Sequence, residues 1–418
     1  MTVINNTDRG RDYHSLLDLH HSIRLRRSLR GEGPHRSDDT DYLGERLAAW
    51  PERRDDQRLM RESLPLLEPL TDTLTHLYTS LFATGPHLRA LFPGSLAAQR
   101  ERLAWSLTQL MEHLDSPERL LTMFAEYGRA HRKLGVRAVH YGPFGDAFIA
   151  ALRRHAGPAW SAPYDAAWLR AYGFLADVMS HSADAALSTP PYVHATVTAH
   201  ERRGPDLAVL RVAPAGPYDY HAGQYATLAS ARLPHTWRSY SMAGPPAADG
   251  VLEFHVRATG AGQLSDVLVH RTAVGDRLLV GPARGTMTLA AQTDAPVLLI
   301  AGGTGLAPLR ALLGELAARS APPPTWLFVG GRTLDDLYDL PTLTRYGQEY
   351  PWLRVVPAVA EGEAGPYEQG TVVDVVSRHG YWDGHDAYLA GPASMVRLLT
   401  RRLVELGVPA DRIRHDQQ

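Results

Sequence analysis

Apolar positions recur along this chain with three different patterns. Between residues 60 and 187 they keep helical spacing. Leu74, Leu77, Tyr78, Leu81 and Phe82 form one stripe, and Phe124, Tyr127, His131 and Leu134 form another. Breakers separate the periodic runs at Gly85-Pro86, Pro93-Gly94, Ser116-Pro117, Gly142-Pro143 and Gly157-Pro158, which predicts a region made of helices only. Ser188, Thr189, Pro190 and Pro191 close that region. Short strands follow at 193–199, 207–212, 225–228 and 252–256, with turn residues between them, as in an antiparallel β-barrel. From Ala295 onward, near-continuous apolar runs at 297–301, 326–329, 353–359 and 387–390 alternate with helical stretches. Such runs predict buried parallel strands in an α/β fold. Residues 1–58 behave differently. They are rich in Arg, Asp and His, and only a short helix over 18–27 is expected there. The remainder carries too little apolar surface to offset its ordering entropy, so an extension without fixed structure is predicted. His20 and His21 within it read as solvated surface rather than a metal site.

Composition narrows the chemistry. A chain of 418 residues with 44% hydrophobic and 21% charged residues has ample core material. Its net charge of −2 gives no global pull toward nucleic acid or an anionic membrane. No apolar run approaches the ~18 residues of a membrane span, and the first residues lack the apolar stretch of a signal peptide. A cytoplasmic setting is expected. Cysteine is absent, which excludes disulfides, a thiolate haem ligand and Cys-ligated iron–sulfur clusters. Any electron acceptor held by this chain needs His, Met, Tyr or carboxylate ligands.

Three short motifs carry chemistry in the second half. Arg238-Ser239-Tyr240-Ser241 sets a guanidinium, an aromatic face and a hydroxyl within four residues. Gly302-Gly303-Thr304-Gly305, ahead of a helix running from Pro308, follows a predicted strand. Glycines there let backbone approach a phosphate, and the helix start offers free N–H groups. Gly391-Pro392 follows the last predicted strand. Together these resemble the FAD- and NAD(P)H-binding half of the ferredoxin-reductase family. The resemblance implies that Arg238 contacts the FAD phosphates, that Tyr240 lies on the flavin ring and that Ser241 bonds to it. It extends to Gln224 and Tyr225, His255 and Arg257, and Gly262 to Ser265 as flanking flavin contacts, and it sets Gly391-Pro392 beside the nicotinamide. Ala390 stands where the family has Cys. NADH and NADPH both stay open: Arg332 suits a 2′-phosphate, whereas Asp335 and Asp336 would repel one.

The helical half, next to such a reductase, resembles the globin of the flavohaemoglobin family. His131 stands where the family has its proximal haem ligand, with Tyr141 ten residues on as its supporting tyrosine. Tyr78 and Gln99 match the distal tyrosine and glutamine, and Phe92 and Leu103 match residues packed on the haem. There are departures. Where the family has a proximal glutamate this chain has Ala183, with Asp184 beside it, and the segment 414–418 lacks the aromatic-bearing tail expected over the flavin. The resemblance extends over residues 59–418. It implies an all-α globin domain (59–187), an FAD-binding β-barrel (192–290) and an α/β NAD(P)-binding domain (294–418), after the extension 1–58. Expected cofactors are haem b, FAD and NADH or NADPH. Electrons are expected to pass from nucleotide through FAD to a haem that binds O2. The implied activity is a nitric oxide dioxygenase turning NO and O2 into nitrate. Two other readings remain: a divergent oxidoreductase acting on another small organic or nitrogenous substrate, and a haem-based gas or redox sensor.

Overall fold

The computed structural model of the chain describes residues 39–50, 54–290 and 295–416. The helix expected at 18–27, with His20 and His21, lies outside the described residues. The chain divides into two compact units, residues 1–191 and 192–418. Among the described residues, no helix is long and apolar enough to cross a membrane.

The first unit is helical throughout: α1 Asp39–Ala48, α2 Arg54–Ser63, α3 Leu70–Thr84, α4 Ala97–Glu112, α5 Pro117–His131, α6 Tyr141–Ala156 and α7 Ala162–Ala185. Four of the five expected breakers lie at a helix end or within a first turn, and Pro93-Gly94 lies in the loop before α4. Gly85 ends α3, Pro117 opens α5, Pro143 sits in the first turn of α6, and Gly157 ends α6 with φ of 58°. The first stripe is core: Leu74, Leu77, Tyr78 and Leu81 are buried. The second is not. Phe124, Tyr127 and His131 are only half-buried, and the deep face of α5 is Leu120, Leu121, Ala125 and Gly128.

Part of the extension expected to lack structure is ordered. Helix α1 and the start of α2 fall within 1–58. Tyr42 stacks on His181 of α7 at 3.6 Å, and its hydroxyl donates to Asp177 at 2.6 Å. Arg46 donates to the same carboxylate at 2.5 Å. Trp50 is buried beside Phe174, and its indole N–H donates to the Leu114 carbonyl at 3.0 Å. Two amphipathic aromatics therefore supply the apolar area that the local composition lacks, and each polar tip finds a partner.

The second unit opens with an antiparallel sheet of β1 Val193–Arg202, β2 Leu207–Pro214, β3 Tyr225–Ser230, β4 Arg238–Ser241, β5 Leu252–Arg257 and β6 Arg277–Val280, with helix α8 Leu264–His270 between β5 and β6. The order β4-β3-β6-β1-β2-β5 is drawn toward closure by a bridge between Met242 and Phe254. Strands β4 and β6 were not visible in the apolar pattern. Each has four residues, and β4 is polar throughout.

A parallel sheet follows: β7 Val297–Gly302, β8 Thr325–Gly331, β9 Leu353–Val359, β10 Glu368–Gln369, β11 Asp386–Ala390 and β12 Ile413–Arg414, in the order β10-β9-β8-β7-β11-β12. Helices α9 Leu306–Ala317 and α10 Leu340–Glu349 pack on one face. Helices α11 Val372–Arg378 and α12 Ala393–Glu405 pack on the other. The four long runs read from sequence are the central strands.

The barrel and the parallel-sheet module meet through buried charge. Strand β5 alternates Leu252, Phe254 and Val256 into the barrel core with Glu253, His255 and Arg257 on its other face. Glu253 accepts from Arg310 of α9 at 3.0 Å and from Arg211 at 2.8 Å, and lies 3.1 Å from His255 Nε2. His255 Nδ1 lies 2.6 Å from the Tyr338 hydroxyl. Burial alone would raise the Glu253 carboxyl. The bonds from His255 and Arg211 and the Arg310 charge outweigh it and hold the pKa down at about 2.

Two outcomes are expected. Trp50→Ala should remove about 3 kcal/mol from the unfolding free energy of the helical unit, read by urea titration; no loss would mean that α1 docks without stabilising. Glu253 contributes stability that is complete above its ordinary pKa of 4.5 and is lost as pH falls toward 2. The full contribution is up to about 3 kcal/mol. Denaturation of the wild-type chain across that window should therefore steepen relative to Glu253→Gln, and parallel curves would contradict the assignment.

Candidate active site

The helical unit builds one side of its site around the last residue of α5. Gly128, one turn before His131, lets α5 touch α7: a Cβ there would stand 2.1 Å from the Met179 carbonyl oxygen. Helix α6 then brings Tyr141 to His131, with its hydroxyl 3.3 Å from Nδ1. Tyr172 of α7 donates to the Tyr141 carbonyl at 2.6 Å and fixes that turn. No hydrogen bond from a described residue reaches the other ring nitrogen, Nε2. The ring keeps some accessibility, yet burial, helped by the Lys133 charge, pulls its pKa down to about 4. Accessibility combined with strong desolvation is what the wall of a crevice produces. His131 is therefore a neutral imidazole with one nitrogen oriented and the other open, the state a haem iron requires. Among the described residues no group of three or more metal-ligating side chains is gathered.

Asp184 modifies the picture drawn from sequence. Ala183 occupies the position of the family's glutamate, but the Asp184 carboxylate lies close enough to raise the Tyr141 hydroxyl, adding to the larger effect of burial. A carboxylate is thus coupled to Tyr141 from the neighbouring position.

Tyr78 occupies the other candidate region. Its ring meets Phe92 edge-on at 5.6 Å and Phe82 at 6.0 Å. Its hydroxyl is buried without a hydrogen-bond partner, and burial pushes its pKa up to about 12. Gln99 is near enough to oppose that shift, yet its carboxamide oxygen accepts from Arg102 at 3.0 Å and no bond of proper geometry joins it to Tyr78. Phe92 and Leu103 keep partial accessibility at the edge of the core. An orphaned hydroxyl, an open imidazole nitrogen and half-covered apolar side chains fit a flat, apolar, iron-bearing group such as haem b.

In the second unit the flavin motif forms β4. Arg238 and Tyr240 alternate onto one face, paired with Leu228 and Ala226 of β3, and Ser241 pairs with Tyr225. Burial raises the Tyr240 hydroxyl, and the nearby Arg238 charge opposes it. A half-buried aromatic beside a guanidinium fits the ring and phosphates of FAD. Gly262, at φ of 76°, forms an open turn tip.

Four residues expected at the flavin also bond within the scaffold. Gln224 accepts from the His221 N–H at 2.8 Å and donates to the Gly285 carbonyl at 3.1 Å, closing its own turn. Ser265 accepts from the Thr259 N–H at 3.1 Å. His255 has both ring nitrogens engaged at the junction, and Arg257 pairs with Asp206 at 2.8 Å and Asp336 at 3.3 Å. Sequence reasoning missed the reason: β5 turns these side chains toward α9 and the 334–339 segment, and a single strand's alternation does not say which face meets a second module. Arg310, Tyr338 and Tyr172 gave no motif signal. Near the C-terminus, Asp416 accepts from the Thr286 N–H at 3.0 Å and lies against Gly285, beside Tyr225. Burial raises its carboxyl, opposed by the N–H groups of Thr286 and Met287.

The nucleotide motifs come together at the ends of adjacent strands. Strands β7 and β11 pair in register through Ala301 and Ala390. Beyond them, a Cβ on Gly305 would stand 2.2 Å from the Ala390 carbonyl, and Gly302 faces Pro392. Gly303 turns with φ of 54° and Thr304 completes a 3-10 turn, so α9 begins at Leu306 with Pro308 inside its first turn. In the order β9-β8-β7-β11-β12 the chain reverses direction between β7 and β11, the crevice where such sheets bind nucleotides. Helix start, glycine turn and bare backbone fit a pyrophosphate there.

Comparison with known proteins agrees with this geometry. Residues 75–179 match the globin family, 194–288 the oxidoreductase FAD-binding domain and 299–401 the oxidoreductase NAD-binding domain. A flavohemoprotein of Deinococcus radiodurans is 30% identical over 382 residues, 85% of this chain and 94% of that protein. The ferredoxin–NAD(P)(+) reductase component of naphthalene 1,2-dioxygenase/salicylate 5-hydroxylase systems from a Ralstonia species is 34% identical over 226 residues, 54% of this chain and 68% of that one. The flavohemoglobin of Malassezia yamatoensis, solved with bound FAD and haem, shares the fold with a TM-score of 0.69 at 18% identity, covering 86% of this chain and 97% of its own. Globin, flavin barrel and nucleotide module in one chain, with a relative matched along almost its whole length, mean that this protein belongs to the flavohaemoprotein family and is a haem- and FAD-dependent NAD(P)H oxidoreductase.

Proposed function

We propose that the protein is a nitric oxide dioxygenase. The observation that carries this reading is the buried, unpartnered hydroxyl of Tyr78 among the rings of Phe82 and Phe92. An unsatisfied buried hydroxyl costs ~1–3 kcal/mol, and a small ligand able to accept a hydrogen bond would relieve it. When bound, haem supplies the iron at which O2 and NO combine to nitrate, while FAD accepts hydride from NADH or NADPH and releases single electrons.

The chain's own residues do the rest. His131 presents Nε2 as the iron ligand, and Tyr141 fixes the ring through Nδ1. Asp184 adds negative charge on that side. Tyr78 is protonated at neutral pH, and burial, which raises its pKa to about 12, keeps it a donor at alkaline pH as well. Gln99, Phe92 and Leu103 bound the region around it. Arg238, Tyr240, Ser241, Tyr225 and Gly262 hold FAD. Gly302, Gly303, Thr304, Gly305, Pro308, Gly391 and Pro392 hold the nucleotide.

A second reading, an oxidoreductase acting on another small organic or nitrogenous substrate, is favoured by one observation. The reductase half resembles the reductase component of an aromatic-ring dioxygenase system.

Loss of NO on an electrode, with NADH and then NADPH in air, separates the two. Rapid uptake needing both nucleotide and O2, abolished in His131→Ala, is expected. Tyr78→Phe should slow it by on the order of ten- to a hundred-fold, the loss of one strong hydrogen bond. Background uptake by protein whose haem is reduced by nucleotide would remove the dioxygenase reading and leave the second.

A further inference from the structure

The charged cluster joins barrel and nucleotide module and touches the elements that carry the flavin and nucleotide motifs. Glu253 and His255 flank Phe254, which is bridged to Met242, the residue after Ser241 of the flavin motif. Arg310 lies one turn beyond the start of α9, the helix that opens behind the glycine turn. Tyr338 and Asp339 follow β8, the neighbour of β7. The cluster therefore stands one residue from the flavin strand and one helical turn from the nucleotide turn.

One tautomer of His255 satisfies Tyr338, Glu253 and Arg310 together. Tyr338 donates to His255 Nδ1 at 2.6 Å, which leaves Nε2 as the protonated nitrogen, donating to Glu253 at 3.1 Å. Arg310 Nη1 lies 3.0 Å from Nε2, but two donors cannot bond, so its proton goes to Glu253, also at 3.0 Å. Asp339, 3% exposed, lies 3.2 Å from the same Arg310 nitrogen but has no hydrogen bond at Oδ2, and Arg310 Nε is likewise buried without a partner. Beyond the stability that Glu253 adds, a buried cluster of many partners fixes geometry. Packing repeats the message: a Cβ on Gly314 of α9 would stand 2.7 Å from Pro245 of the barrel.

We propose that Tyr338, His255 and Arg310 are positioning residues for hydride transfer, locking α9 and β5 so that the nicotinamide meets the flavin at reacting distance. The reaction they serve moves one proton with two electrons from nicotinamide to flavin, oxidising the first and reducing the second, and groups carried on two modules need a fixed approach. The proposal rests on the family's flavin and nucleotide chemistry and not on the fate of NO.

The test uses the full chain loaded with haem and FAD, with Tyr338→Phe as the main variant and Arg310→Lys beside it. Rapid mixing with NADH separates the limiting rate of flavin reduction from the dissociation constant of NADH. The limiting rate is expected to fall on the order of ten-fold, since small misplacement costs that much or more, with NADH affinity unchanged. Mixing reduced protein with NAD⁺ should show a weakened long-wavelength charge-transfer absorbance. In the ligand-free chain, hydrogen exchange at 334–340 should speed up at an unchanged melting temperature. An unchanged limiting rate with an unchanged charge-transfer band would overturn the proposal, as would a loss confined to FAD or NADH affinity. Should Arg310→Lys fail to retain FAD, the Tyr338→Phe result decides alone. Because flavin reduction precedes any encounter with NO, a normal hydride step with no NO uptake would count against the dioxygenase reading only.

Discussion

Contact of backbone with backbone, with no side chain between, is the constraint on which both candidate sites rest. In the helical unit it occurs where Gly128 of α5 meets Met179 of α7. That crossing fixes α5 one turn before it ends at His131. Helix α7 also holds the carbonyl of Tyr141 through Tyr172 and carries the carboxylate of Asp184. One helix thus sets the height of the histidine, the orientation of its partner and the charge behind it. The added helix α1 docks on the same α7, at Asp177 and His181.

The same device serves the nucleotide turns. Gly305 presses on Ala390 and brings together two motifs that lie far apart in sequence. A methyl group there would separate the two turns and open the crevice. Downstream of this contact, α9 carries Arg310 into the charge cluster on β5. The path from nucleotide turn to flavin strand is thus continuous: tight turn, one helical turn, buried arginine, strand. Rigidity along such a path is what a transfer sensitive to distance needs.

Buried polarity is handled differently around His131 and Tyr78 and around Glu253. Around His131 and Tyr78, desolvation prevails: it lowers the imidazole pKa, and the tyrosine hydroxyl is buried without a partner. Around Glu253, three donors overcome desolvation and keep the carboxylate ionised. The first pattern suits a site that must receive something from outside the chain. The second suits a joint that must stay closed.

Much of this was legible from residues alone. The stripe of Leu74, Leu77, Tyr78 and Leu81 and the four apolar runs of the parallel sheet follow from periodicity, because burial repeats with the geometry of the element. The chemistry of Arg238-Ser239-Tyr240-Ser241 and of the glycine turn is local, since a few adjacent residues supply it. What sequence could not assign was the direction of side chains at contacts between distant segments. His255 and Arg257 lie on a strand near the flavin motif, and only the approach of α9 and the 334–339 segment shows that they face the junction. Tyr42 and Trp50 sit in a polar stretch that looked unable to order itself, and they are ordered because α7 and Leu114 accept them. Asp184 looked like a neighbour of a missing group, and the fold brings its charge to Tyr141. The chain by itself determined which elements form and which chemistries are present, because these depend on neighbours a few residues apart. The tertiary structure alone decided which groups are left without partners and which are paired, because that depends on atoms brought together from far along the chain.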